Sequence, residues 1–255
     1  MLIPLPSPPR AEKSSKLPSA VQLLIVANIL VFACQLYYWH YRGLNLSLHF
    51  GAIPQRITEI VFLFPQLPDL SRPTLITSLF LHDTFNLHGG FVHLIGNLLY
   101  LSAFGPNLEN AIGRMKFFLF YLLCGVSATL LHVVFHYNSD VPLIGASGAI
   151  AGVMGAHLFA RPKSRIRCLF LIYIVSLPAI VVLVPWILVQ LFNFVYLSSQ
   201  DAAVAWLAHI GGFLAGIFLI GKFQISWRPP RKHETANSLI HTYSNPNVPL
   251  MKIGR

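Results

Sequence analysis

Charged side chains are scarce in this chain. Only 10% of its 255 residues are Asp, Glu, Lys or Arg, whereas 55% are hydrophobic, and this balance lies far outside the range of soluble globular domains. Acidic residues are the scarcest, with 8 Asp and Glu against 18 Lys and Arg. The composition excludes a soluble globular domain and predicts a protein that crosses the membrane several times.

Cysteine is also scarce. The three cysteines are Cys34, Cys124 and Cys168, and all lie inside or at the edge of apolar runs. Their number is odd, and their spacing does not match that of metal-binding motifs. We therefore interpret them as packing residues, and we predict neither a metal site nor an organic cofactor.

Long apolar runs recur along the chain. A helix needs about 20 apolar residues to cross roughly 30 Å of hydrocarbon, and six runs approach or exceed that length, at 18–40, 88–104, 115–136, 141–160, 168–197 and 203–221. The second run is short and polar for a span. The fifth contains Pro178 and Pro185, which is compatible with one kinked helix or with two shorter segments.

The positive charges distinguish these alternatives. Lys and Arg are concentrated in the N-terminal segment, after the second and fourth runs, and in the C-terminal segment; of the 18, only Arg42, Arg56 and Arg72 lie in the other connections. Because basic loops are retained in the cytoplasm, this pattern predicts six crossings with both termini cytoplasmic. It makes 168–197 a single span, and it indicates a membrane protein with no nucleic-acid partner.

These spans divide the chain into three parts. We predict a basic cytoplasmic tail at 1–17, a membrane domain at 18–221 and a basic, disordered cytoplasmic tail at 222–255 that lies against anionic lipid. Within the membrane domain, the segment 42–88 is interpreted as an outer, interfacial loop. The first run is expected to remain as a span and not to be cleaved as a signal peptide. The expected location is a bacterial inner membrane.

One serine stands among glycines in the stretch "VPLIGASGAI" of residues 141–150. Ser147 follows Asp140, and His209 follows Asp201, by about two helical turns, which places both roughly 10–12 Å below the outer surface. The six-span arrangement brings both in from the same side. Polar side chains at this depth are costly and usually face a protein interior or a wet cavity, so they are candidates for function.

The second run carries further polar residues. His93 and Asn97 in "FVHLIGNLLY" lie on one helical face that descends from the same side, and His88 lies near the entrance. Taken singly, a serine in a run of small residues is more often a packing residue than a nucleophile, and an isolated histidine or asparagine more often bonds a neighbouring helix. It is their combination that supports a functional hypothesis.

Glycines form a smooth face on the fourth run and on the sixth, and such faces let helix backbones approach closely. These glycines are Gly148, Gly152 and Gly155 in the fourth run, and Gly212 and Gly216 in the sixth. Ser147 adjoins the first face, and His209 precedes the second by one turn. Close packing of the two runs therefore predicts that the hydroxyl and the imidazole come within hydrogen-bonding distance.

A serine hydroxyl becomes an effective nucleophile when a base takes its proton, and a neutral imidazole is a suitable base. An acidic third member is missing from the spans, since Asp140 and Asp201 lie outside them and Glu109 belongs to the inner end of the second. The sequence therefore favours a dyad of Ser147 and His209 over a triad.

Acyl transfer also needs hydrogen-bond donors for the oxyanion that develops on the attacked carbonyl. The candidates are the backbone N–H of Ser147 at a helix start, the Asn97 amide and the His93 ring. Water is the second substrate, and this polar cluster near the outer face is where it is expected to be held.

Over roughly residues 70–221, these features resemble the rhomboid family of intramembrane serine proteases. The matching segments are "HGGFVHLIGN", "GASG" and "AHIGGFLAG", which contain His88, His93, Asn97, Gly145, Ser147, Gly148, His209, Gly212 and Gly216. The resemblance implies a nucleophile at Ser147, a general base at His209 and oxyanion stabilisation by His93 and Asn97, with the other residues in supporting roles. The stretch "GPNLENAIG" is similar to a turn of the family, which implies a structural role for Glu109.

The chain departs from the family in two places. Many members carry Trp-Arg in the outer loop, where this chain has Ser71-Arg72. Many also carry an aromatic residue one turn after the nucleophile that stacks on the histidine, and here that position is Ala151. The resemblance therefore does not explain what orients the His209 ring.

The resemblance implies an all-α bundle of six transmembrane helices, in which the fifth helix and an outer cap at about 196–205 gate the entry of a substrate's transmembrane segment. The predicted function is a serine endopeptidase that cleaves single-pass, membrane-anchored proteins near the outer surface; no oligomeric state is predicted. One alternative is a transporter or channel, which the lack of an internal repeat and of acidic groups in the spans disfavours. Another is a non-catalytic rhomboid-like binding protein, which the presence of both dyad members disfavours.

Overall fold

The computed structural model describes residues 2–6, 19–59, 74–84, 86–197 and 204–223. The helices are α1 (Ala20–Arg42), α2 (Leu46–Phe50), α3 (Pro54–Thr58), α4 (Thr74–Thr77), α5 (Leu87–Ile112), α6 (Arg114–Phe135), α7 (Ser147–Ala160), α8 (Ala179–Leu197) and α9 (Val204–Ile220), with a 3-10 helix at Ser78–Phe80. The strands are β1 (Leu2–Pro4), β2 (Arg165–Phe170) and β3 (Tyr173–Pro178). Most of the two predicted tails, most of the predicted outer cap and the Ser71-Arg72 pair fall outside the described residues.

The chain is mostly helical and is an integral membrane protein. Four of the described helices, α1, α5, α6 and α8, are long and apolar enough to cross a membrane, whereas α7 and α9 are apolar but shorter. At 14 residues, α7 is only about 21 Å long. The prediction of six full-length spans is therefore confirmed for four helices by length and composition.

Helix α7 lies at the centre of the bundle. Every residue from Gly148 to His157 is buried, and α7 packs against α5, α6, α8 and α9. A helix that is apolar on all sides is expected in such a position. Because it contains mostly glycine, alanine and other small residues, its neighbours can approach its backbone from every direction.

The contact between α7 and α9 is made by glycine backbones. A Cβ atom added at Gly212 would overlap the carbonyl oxygen of Gly148, and one added at Gly216 would overlap that of Gly152. Any side chain at these positions would push the two helices apart. The glycine faces therefore pack as the sequence predicts, and they fix how the N-terminal ends of α7 and α9 face each other.

The fourth run begins differently from the prediction, which placed a helix over 141–160. Residues 141–146 are not helical. Leu143 pairs with Ala52 in an isolated bridge, and the N–H of Gly145 donates to the carbonyl of Ser78 at 2.8 Å. These contacts anchor the loop to the segments that contain Ala52 and Ser78, and Ser147 follows it as the first residue of the short helix α7.

The prediction of a single span over 168–197 was wrong in its first part, and the prediction of an all-α fold was wrong at the same place. Residues up to Pro178 form a hairpin of β2 and β3, and β1, which belongs to the predicted tail at 1–17, pairs with β2 to make a three-stranded antiparallel sheet. Ile166 and Cys168 are buried, whereas Arg165 and Arg167 are exposed. This alternation is typical of a strand, and α8 begins directly after Pro178.

The carboxylate of Glu109 caps the first turn of α1. Its Oε1 and Oε2 accept the backbone N–H groups of Ala20 and Val21 at 2.9 and 3.0 Å, and Oε1 lies 3.9 Å from Nε of Arg114. A negative charge at a helix N-terminus satisfies unpaired N–H groups and interacts favourably with the helix dipole. Glu109 thus fastens α1 to the C-terminal end of α5.

Glu109→Ala should lower the free energy of unfolding by about 3 kcal/mol or more, because hydrogen bonds to charged groups contribute about 1.5–3 kcal/mol each. Thermal unfolding in detergent micelles measures this as a lowered Tm. Glu59→Ala is the matched control, since that residue is exposed and its Oε1 accepts a hydrogen bond from its helical neighbour Gln55. Equal Tm values for the two variants would contradict the capping role.

Candidate active site

Ser147 and His209 meet at the N-terminal ends of the two glycine-packed helices. Oγ of Ser147, the first residue of α7, lies 2.8 Å from Nε2 of His209 in the second turn of α9. This is a normal hydrogen-bonding distance. A hydroxyl and an imidazole so placed have the geometry of a nucleophile and its general base.

The position of Ser147 at a helix start supplies donors as well as a nucleophile. The first backbone hydrogen bond of α7 is donated by Ile150 to the carbonyl of Ala146 at 3.0 Å. The preceding N–H groups, including that of Ser147, have no partner within the helix, as at every helix N-terminus. Their partial positive charge favours negative charge beside the serine.

The two side chains open into a small cavity of about 200 Å³. Its wall includes Ser147, His209, His93, Trp206, Gly125 and Ala128. Of the described residues that line the cavity, none is Asp or Glu. Among the described residues of the chain, no group of three or more His, Cys, Asp or Glu side chains is placed to hold a metal ion.

Three side chains surround the imidazole of His209. Its Nδ1 lies 2.7 Å from Oε1 of Gln190, which is buried in α8. The rings of Trp186 and Trp206 lie 5.7 and 6.3 Å from it, centroid to centroid. These contacts hold the ring in place. In the family resemblance that role belongs to an aromatic side chain at the position of Ala151. Gln190 was not predicted as a site residue. The sequence feature that could have indicated it is a single amide in the middle of the apolar run "WILVQLF".

Gly145 shapes the loop in front of Ser147. Its φ of +119° is a conformation that side chains rarely adopt, and a Cβ atom there would lie 2.8 Å from Cε1 of His93. The absence of a side chain therefore lets the His93 ring pack against the loop and line the cavity beside Ser147.

The side chain of Asn97 forms a hydrogen bond with His82. Its Nδ2 donates to Nε2 of His82 at 3.2 Å, and both residues are buried. The backbone of His82 is fixed by Gln35, whose Oε1 accepts its N–H at 2.9 Å and whose Nε2 donates to its carbonyl at 2.8 Å. Burial, with a smaller contribution from nearby His93, lowers the pKa of His82 to about 4, so this ring is neutral and accepts the bond from Asn97.

His82 joins this polar cluster, although no role was predicted for it. Its ring centroid lies 5.2 Å from that of His93, whereas His88 is exposed in the first turn of α5. The structure does not bring His88 into the cluster. Spacing alone could not distinguish the two, because the loop between His82 and α5 decides which histidine folds inward.

Comparison with known proteins gives one consistent result. A family model described as the Rhomboid domain matches residues 72–224. RHOMBOID-like protein 5 of Arabidopsis thaliana is 34% identical over 133 residues, covering 52% of this chain and 40% of the relative. Rhomboid protease GluP of Bacillus subtilis is 31% identical over 133 residues, covering 52% and 23%. Rhomboid protein 1, mitochondrial, of Saccharomyces cerevisiae is 26% identical over 144 residues, covering 51% and 37%.

The chain thus spans 40% or less of the length of each of these three relatives. The matched domain contains Ser147, His209, His93 and Asn97. It also contains His82 and Gln190, which the structure adds to the candidate site.

Proposed function

Because this chain belongs to the rhomboid family, we propose that it is an intramembrane serine endopeptidase. The observation that carries the proposal is the 2.8 Å contact between Oγ of Ser147 and Nε2 of His209. The two atoms face a cavity inside an otherwise apolar bundle. Support also comes from a relative whose name is Rhomboid protease GluP.

The proposed reaction uses the dyad twice. Oγ of Ser147 attacks the substrate's carbonyl carbon while Nε2 of His209 takes the hydroxyl proton, and the imidazolium then gives that proton to the leaving amine. Water, deprotonated by the same nitrogen, attacks the resulting ester and releases the second product. The serine and the histidine are both regenerated.

The oxyanion formed in each half of the reaction needs donors. We assign this role to the His93 ring and the backbone N–H of Ser147, which stand at the cavity. The second N–H of the Asn97 amide is the remaining candidate, since the first is donated to Nε2 of His82.

We further propose the full membrane arrangement. The shorter helices α7 and α9 complete a six-span bundle over 18–221, with the basic segments 1–17 and 222–255 in the cytoplasm of a bacterial cell and 42–88 on the outside. The asymmetric distribution of Lys and Arg supports this orientation. It places the dyad towards the outer face, where a single-pass substrate would be cut. Reporter fusions that put the two termini on opposite sides would contradict it.

The proposal is tested by reconstitution. The purified chain and a single-pass model substrate are incorporated into the same liposomes, and the products are mapped by mass spectrometry. We expect one cut in the outer part of the substrate's span, unaffected by a metal chelator. Folded protein that binds the substrate without cutting it would support a non-catalytic relative instead, and solute uptake without cutting would support a transporter.

A further inference from the structure

Gln190 contacts the nitrogen of His209 that Ser147 does not use. Its Oε1 lies 2.7 Å from Nδ1 of the ring, and its Nε2 donates to the carbonyl oxygen of Trp186, one turn earlier in α8, at 3.3 Å. Gln190 is only 5% exposed. Both ends of the amide are therefore engaged inside the bundle.

The carbonyl of Trp186 determines which way the amide points. A carbonyl oxygen can only accept, so it must face the NH₂ group of Gln190 and not its oxygen. The opposite orientation would set the two carbonyl oxygens against each other at this contact, which is repulsive. Oε1 therefore faces His209.

The orientation of the amide in turn fixes the tautomer of His209. Since Oε1 can only accept, Nδ1 must carry the proton, and the lone pair of a neutral imidazole then lies on Nε2. That lone pair faces Oγ of Ser147 at 2.8 Å. In the other tautomer Nε2–H would donate to the serine and could not take its proton.

We propose that Gln190 is a positioning residue that holds His209 in the tautomer and orientation required of a general base. The inference rests on the proposed function, because it assigns to a neutral amide the role that a carboxylate has in serine-protease triads. An amide suits this place better than a carboxylate, since burying an ionised group in an apolar bundle is costly. Within the part of the chain that the structure describes, the other titratable side chain that lines the cavity is His93.

The test compares variants that keep or remove the acceptor. Gln190→Leu removes it, Gln190→Glu restores it with a negative charge, and Asn193→Leu removes an amide from the same helix at a residue that does not line the cavity. The readouts are kcat and KM for the model substrate, the pH profile of kcat, and the ¹⁵N chemical shifts of the His209 ring. The shifts are assigned by difference from His209→Ala, and Tm verifies folding.

We expect Gln190→Leu to lower kcat by about 10- to 100-fold with little change in KM, which is less than the roughly 10⁴-fold loss seen when the orienting carboxylate of a soluble triad becomes an amide. The ¹⁵N shifts should show Nδ1–H in the wild type and lose it in Gln190→Leu. Gln190→Glu should recover activity, with the acid limb of its pH profile moved to higher pH because a carboxylate stabilises the imidazolium. Asn193→Leu should match the wild type.

A folded Gln190→Leu variant with wild-type kcat and the same His209 tautomer would overturn the proposal. If that variant does not fold, Gln190→Glu decides, since a pH profile that superimposes on the wild type contradicts the contact. Failure of the proposed function is a separate result: a wild-type chain that cleaves nothing would still show the Nδ1–H tautomer if Gln190 positions the ring.

Discussion

Ser147→Ala and His209→Ala should each reduce cleavage of a transmembrane substrate to the background rate. The first removes the oxygen that attacks the substrate, and the second removes the base that makes this hydroxyl a nucleophile. In a soluble serine protease the loss of either residue costs about 10⁶-fold in kcat, and losing both costs little more. Because Ser147 and His209 act as one unit, the double variant should be no slower than either single variant.

The oxyanion donors should behave differently. Asn97→Ala should leave measurable activity, since one donor is typically worth about 10²–10³ in rate and His93 and the helix N-terminus persist. Cleavage by proteoliposomes with matched amounts of folded protein measures both effects. Wild-type activity in Ser147→Ala would remove the nucleophile assignment, whereas background activity in Asn97→Ala would mean that its contact with His82 holds the site together.

Gly212→Ala should also strongly slow cleavage, although it touches neither member of the dyad. The new methyl group would overlap the carbonyl oxygen of Gly148, a backbone atom that cannot rotate away, so α7 and α9 must separate. A displacement of about 1 Å can cost 100-fold in rate, and the overpacking should lower stability by about 1–3 kcal/mol. We therefore expect kcat to fall by about 100-fold or more, together with a lower Tm.

The adjacent glycine provides the matched control. A Cβ atom at Gly211 would lie 2.8 Å from Cδ2 and 3.1 Å from Cβ of Leu131. Cδ2 can move away by a rotamer change, and the contact with Cβ needs a shift of only a few tenths of an ångström. Gly211→Ala should therefore retain most of the activity. Equal activity of Gly211→Ala and Gly212→Ala would show that the distance between the backbones does not set the geometry of the dyad.

The meeting of Ser147 and His209 could be predicted from the sequence because it depends on local properties. Glycine is the residue that permits backbone contact between helices, and its spacing in "GASG" and "AHIGGFLAG" marks which faces touch. Charge asymmetry indicated that both residues approach from one side. Neither argument requires the path of a loop.

The residues that were missed depend on such paths. His82 enters the cluster because Gln35 on α1 clamps its backbone, a contact between distant segments that no spacing reveals. Gln190 faces His209 because of the rotation of α8 about its own axis, which decides which of its side chains point towards α9. That rotation depends on where the helix begins, at Ala179. Treating 168–197 as one helix left that rotation undefined.

The hairpin of β2 and β3 was hidden by composition. Hydropathy averaged over a window reads "IRCLFLIYIVSLP" as part of a span, and the alternation of exposed arginines with buried Ile166 and Cys168 covers too few residues to change that average. Its pairing with β1 joins segments far apart in the chain. Strand pairing of this kind follows from tertiary contacts more than from local preference.

Covalent labelling by a fluorophosphonate, a probe that traps activated serines, tests the central claim most directly because it needs no substrate. We predict one adduct on the folded wild-type chain, mapped by mass spectrometry to Ser147 and absent from His209→Ala. Labelling should persist when Cys34, Cys124 and Cys168 are replaced, and it should slow as the pH falls, because the imidazolium form of His209 cannot accept the serine proton. An adduct at another residue, labelling that survives the loss of His209, or a folded wild-type chain that is never labelled would contradict the dyad.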